Sequence, residues 1–151
     1  MKKQAIVFLS VLMWIIALSH LIIGVALVGP QGFREMVAAA YGAEVTWSPQ
    51  FSYILKPLGV FMMALGAIGV MAARRPLTNK PVIFVFVLLL AARVVQRFIH
   101  TSEITDAFAI PMSRSYFNAA GFGLLSLLLL VTMIFANKGS MIDANSLDTK
   151  S

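Results

Sequence analysis

The chain has 151 residues, 60% hydrophobic and 12% charged, against roughly 45–50% and about 25% in soluble domains. Its formal net charge is +6, but the basic residues flank apolar runs instead of forming a patch. This composition excludes an ordinary water-soluble globule, a disordered chain and a nucleic-acid-binding domain.

A bilayer core about 30 Å thick needs about 20 apolar residues per helix, and four runs meet that requirement. The first is residues 5–28, after the basic start Met1-Lys2-Lys3-Gln4. That start, with Ala17-Leu18-Ser19, resembles a signal peptide and its cleavage site. The apolar character resumes after His20 and continues to Val28, so the run reads as an uncleaved anchor, and Gly29-Pro30 ends it. Next, Phe33, Met36, Val37, Ala40 and Tyr41 form one apolar face of a short helix over residues 32–41, with Gly42 as its stop. This amphipathic helix is expected on the outer surface, either as a partly buried loop helix or as a lid over the bundle. Trp47 suits the membrane interface.

The second span covers residues 51–73 and ends in Arg74-Arg75-Pro76. Pro57 either frees the Tyr53 carbonyl and kinks this helix or sits harmlessly in its first turn. The third span, residues 82–99, follows Pro81, and the fourth, residues 116–136, stops before Asn137-Lys138-Gly139. Small residues permit close helix contact in lipid. Gly59, Gly66, Gly69 and Ala73 in the second span, and Ala119, Gly121 and Gly123 in the fourth, therefore mark either bundle packing or a dimer face. The expected fold is an all-α integral membrane four-helix bundle forming one domain over residues 1–136. Residues 137–151 make a polar cytoplasmic tail. With the N-terminus inside, the inner side holds Lys2, Lys3, Arg74, Arg75, Lys80, Lys138 and Lys150, and the outer loops only Arg34 and Arg114. This bias predicts that both termini face the cytoplasm.

The residues out of place in lipid are the informative ones. Arg93, Gln96, Arg97 and His100 share one face of the third span. At 1.5 Å per residue Arg93 lies about 18 Å in and Arg97 about 24 Å in. By the same arithmetic His20, Lys56 and Asn118 fall at a similar outer-leaflet level. Together the seven outline a candidate ligand-binding pocket open to the outer side. Three readings stay open. Glu103, Asp106, Glu35 or Glu44 could pair with the arginines and lock helix register. The long side chains could snorkel to the interface. Or the carboxylates stay in solvent and the guanidinium forks accept an anionic or carbonyl-bearing ligand.

Other chemistry has little support. The sequence has no cysteine, which excludes disulfides, thiolate metal sites and CxxC redox pairs. HExxH, Walker, GxSxG and GxGxxG motifs are missing, so no catalytic or metal-ligating residue is assigned. Haem ligation by His20 and His100 is disfavoured because the two differ in depth. A proton-coupled exporter would need a carboxylate inside a span, and none is there.

Four spans in about 150 residues, the glycine-rich stretch Leu58-Gly59…Leu65-Gly66-Ala67-Ile68-Gly69, and the late arginines Ala92-Arg93…Arg97 together resemble the BphX-like and DoxX-like small bacterial membrane proteins. The resemblance covers roughly residues 5–136. It implies a four-helix bundle in a bacterial cytoplasmic membrane and, for some DoxX-like members, a quinone-linked redox role; no functional residue carries over. The expected function is thus a non-enzymatic binding protein or accessory subunit with a pocket for a quinone, lipid or aromatic compound. A quinone-linked redox subunit acting with a partner chain and a small oligomeric transporter are the alternatives. The expected partners are the lipid bilayer, a second membrane subunit or further copies of the chain.

Overall fold

The computed structural model describes the backbone of residues 2–148 and the side chains of residues 3–137. Among the described residues all regular structure is helical. In order come α1 (Lys2–Val28), α2 (Gln31–Tyr41), α3 (Pro49–Arg74), α4 (Lys80–Ile99), α5 (Thr101–Phe108) and α6 (Met112–Asp148). Four of these, α1, α3, α4 and α6, are long and apolar enough to cross a membrane. Their outer surfaces agree with that: Ile22 is 68% exposed, Met71 64% and Phe117 74%. So broad an apolar surface is solvated by acyl chains and not by water. The chain is an integral membrane protein.

Local chemistry sets the boundaries. Gly29-Pro30 breaks α1 from α2, and Gly42 closes α2 in the left-handed conformation at φ 74°. There Gly42 N–H donates to Ala39 O and Ala43 N–H to Ala38 O, an arrangement that favours glycine. Ser48 caps α3 by accepting from Phe51 N at 3.1 Å, with Pro49 in the first turn. Pro57 lies well inside α3, past its first turn, so of the two readings the harmless first-turn proline is the one that fails. Helix α4 starts at Lys80 with Pro81 in its first turn, slightly before the expected span.

Two further differences from the sequence reading concern the ends of the later spans. Residues expected as loop after His100 form α5, and Ala109 then turns the chain with a positive φ of 50°. The last helix does not stop at Ala136; its backbone stays helical to Asp148. A single glycine such as Gly139 weakens a helix by only about 1 kcal/mol, too little to end one that has no proline after it.

Helix α1 is the spine, packed on α3 along one side and on α6 along another, while α4 packs on α6. The α1–α3 seam is as close as backbones allow. A Cβ on Gly24 would lie 2.7 Å from Gly59 O, and one on Gly69 would lie 2.9 Å from Ala17 Cβ. The glycines of α3 thus face α1. Those of α6 do not make the equivalent contact, since a Cβ on Gly121 would meet nothing within 4 Å.

The core is solid at one end only. Leu9, Met13 and Ile16 of α1, Ile83 and Phe86 of α4, and Leu129 of α6 are nearly or wholly buried there. Ser10 Oγ donates to Ala73 O at 2.7 Å, Ser126 Oγ to Val87 O at 3.0 Å, and Lys80 Nζ to Asn137 Oδ1. These bonds bring the start of α1, the end of α3, the start of α4 and residue 137 to the same end. At the opposite end, under α2 and α5, the bundle is hollow.

Candidate functional site

The hollow is a cavity of about 360 Å³. Every helix contributes to its wall: Ile23 and Leu27 from α1, Leu55, Leu58 and Met62 from α3, Arg93, Gln96 and Arg97 from α4, and Phe122 from α6. Helix α2 supplies Arg34, Val37, Ala38 and Tyr41, and α5 supplies Ile104 and Phe108. The connecting segments add Trp47 and Ile110. Glu44 N–H donates to Phe108 O at 2.8 Å, which ties the α2–α3 connection to α5 across the top. The roof is therefore a joined pair of short helices.

Three arginines face this space, each beside an aromatic ring. Arg34 lies 5.9 Å from the centroid of Trp47, Arg93 5.4 Å from Phe122 and Arg97 5.8 Å from Tyr41. Such contacts contribute on the order of 0.5–2 kcal/mol each, less than the several kcal/mol that withdrawing an ion from water costs. Hydrogen bonding adds little. Arg34 Nη1 donates to Ser52 O at 3.3 Å and Arg97 Nη1 to Ser115 Oγ at 3.4 Å, both long for such bonds. Arg34 is 8% exposed, and its Nε is buried with no partner.

The carboxylates that could neutralise these charges are elsewhere. Glu35 accepts from Gln31 Nε2 at 2.8 Å, and Glu103 sits 2.9 Å from His100 Nδ1, the only contact of a carboxylate with a basic side chain within 4 Å among the described residues. Glu35, Glu44, Glu103 and Asp106 are all exposed. An uncompensated set of cations in a largely apolar, aromatic-lined cavity is an acceptor for an anion or for a strongly polarised oxygen.

Of the seven residues outlined from the sequence, Arg93, Gln96 and Arg97 line this cavity. The other four are outside it. His100 is near the surface with Glu103. His20 is buried in the helix core, where its Nδ1–H donates to Ile16 O at 2.8 Å and its ring stands edge-on to Phe86 at 5.7 Å. The two histidines therefore share no cavity. Lys56 is exposed on α3. Asn118 lines a separate groove between α2 and α6, of which Tyr41 and Phe122 form the common wall with the main cavity.

Arg34, Tyr41, Trp47, Phe51, Phe108 and Phe122 are cavity residues the sequence reading did not include. The signal for α2 was present in another register: Arg34, Val37, Ala38 and Tyr41 also stand at i, i+3, i+4 and i+7. The predicted apolar face is inward only in part: Val37 and Tyr41 line the cavity, while Phe33 is 51% and Met36 68% exposed. Compared with known proteins, the chain matches no family model, no curated protein and no solved structure.

Proposed function

We propose that this protein is a non-enzymatic binding protein or accessory subunit that holds the polar head of a membrane-resident amphipathic molecule in the arginine-lined cavity. The observation that carries this reading is the meeting of Arg34, Arg93 and Arg97 in one cavity without a carboxylate beside them. Carboxylate pairing would have made the cluster a structural lock; its absence among the described residues leaves donors directed at a guest. Five aromatic side chains in the wall, Tyr41, Trp47, Phe51, Phe108 and Phe122, favour a second reading. In it the guest is a quinone and the chain serves a redox partner, in keeping with the DoxX-like resemblance.

The excess of basic residues at the end holding Lys3, Arg74, Arg75 and Lys80 supports cytoplasmic termini in a bacterial membrane. In that orientation the cavity opens toward the outer leaflet. The test is mass spectrometry of lipids and quinones retained by the full-length protein in mild detergent, beside Arg93→Leu. A discrete amphiphile retained by the wild type and lost from folded Arg93→Leu is the expected result. Identical small molecules at identical occupancy in both would overturn the reading.

A further inference from the structure

The cavity's unmet hydrogen-bonding capacity narrows its guest. Each guanidinium carries five N–H donors. Among the described residues Arg93 makes no hydrogen bond, while Arg34 and Arg97 make one long bond each. Arg34 Nε is a buried donor in the cavity wall without an acceptor. Ring faces cannot supply the missing acceptors. A neutral quinone would engage one or two donors and leave all three charges standing. A phosphate head brings up to two negative charges and several acceptor oxygens in the geometry a guanidinium fork matches.

The helix packing also points to a route out of the cavity. Helices α3 and α4 are joined by the short link over residues 75–79, yet they pack only sparsely. Leu58 on α3 and Gln96 on α4 both line the cavity and both are exposed, Leu58 at 46%. An opening between α3 and α4 would have these two residues at its lip. Leu58 lies about 14 Å along α3 from Pro49, at the depth of acyl chains. The volume of about 360 Å³ is at the low end for ligand sites, so it admits a head group while a chain must trail outside.

We infer that the guest is a phosphate-headed lipid, a phosphomonoester or diphosphate on an apolar chain, with its head on Arg34, Arg93 and Arg97 and its chain leaving between α3 and α4. This rests on the pocket reading above and narrows it. The chain has two tryptophans, and Trp47 is in the cavity wall. In full-length protein carrying Trp14→Phe, Trp47 emission therefore reports on the cavity alone. The probes are dioleoylphosphatidic acid, dioleoylglycerol, a short-chain ubiquinone and inorganic phosphate, each titrated in the same micelles.

Saturable binding of phosphatidic acid is expected, at least about tenfold tighter than dioleoylglycerol. Arg34→Leu and Arg93→Leu should each weaken it about tenfold or more. Arg93→Lys, which keeps the charge and serves if Arg93→Leu does not fold, should weaken it less. Lys56→Leu, outside the cavity, should leave it unchanged. Quinone binding without phosphatidic acid binding, or equal affinity for dioleoylglycerol, would overturn the phosphate inference and leave the pocket reading standing. Inorganic phosphate bound as tightly as the lipid would overturn the lipid source. Failure of every probe to bind would overturn both.

Discussion

Gly59→Ala tests the α1–α3 seam that forms one side of the hollow. A methyl group there would lie 2.7 Å from Gly24 O, 2.8 Å from Val28 Cγ2 and 3.0 Å from Leu27 Cβ. The nearest atom belongs to the α1 backbone, so no rotamer change relieves the clash and the helices must separate by several tenths of an ångström. Overpacking of this kind costs about 1–3 kcal/mol, toward the top of the range where backbone is struck. The better helix propensity of alanine returns about 1 kcal/mol, leaving a net loss of about 1–2 kcal/mol. For a chain of this size that lowers Tm by about 2–8 °C. Gly121→Ala has the same propensity gain and open space around it, so its Tm should hold or rise by a few degrees. Thermal unfolding in one detergent, followed by intrinsic fluorescence, gives both values. Equal Tm for the two variants would refute the account of the seam. Leu27 and Leu58 neighbour the clash and line the cavity, so Gly59→Ala should also reduce ligand retention.

Two further outcomes follow from the charges and the topology. Arg93 has no carboxylate or hydrogen-bond partner among the described residues, so Arg93→Leu should leave the delipidated protein as stable as the wild type or up to a few kcal/mol more stable; a lower Tm would show that the charge is structurally satisfied. The native chain has no cysteine, so single substitutions report orientation cleanly. Glu44→Cys should react with an impermeant maleimide in intact cells, and Thr78→Cys, exposed at the opposite end of the bundle, only after permeabilisation.

How far the sequence was readable depended on what each residue had to satisfy. The spans were legible because a helix in lipid must be apolar for its whole crossing, and Gly59, Gly66 and Gly69 were legible because small side chains there need a packing reason. Spacing alone could not separate them from Gly121 and Gly123, which do not pack tightly. Depth was only coarsely legible: 1.5 Å per residue put His20 level with Lys56, Arg97 and Asn118, yet Gly24 packs on Gly59 and His20 on Phe86, which sets His20 well below Lys56. Rotation about each helix axis was not legible at all, and only Arg97 of those four turns into the cavity. Helix α2 shows why. In water an apolar stripe marks the inward face, but beside a bilayer Phe33 and Met36 are at home outside and Arg34 can take the inward position. Helix α5, short and carrying Glu103 and Asp106, has no apolar run to announce it.

The order of packing along the chain has a bearing on biosynthesis. Helix α1 can pack onto α3 once the second hairpin arm leaves the ribosome, because the Gly24–Gly59 contact and the Ser10–Ala73 bond need no later helix. Helix α4 finds its main neighbour in α6, which is made last, so Arg93 and Arg97 enter the membrane before the helix that shelters them exists. The arginine-lined cavity is therefore the last part of the molecule to be assembled, and a chain stalled before α6 would leave Arg93 without Phe122 and Arg97 without Ser115.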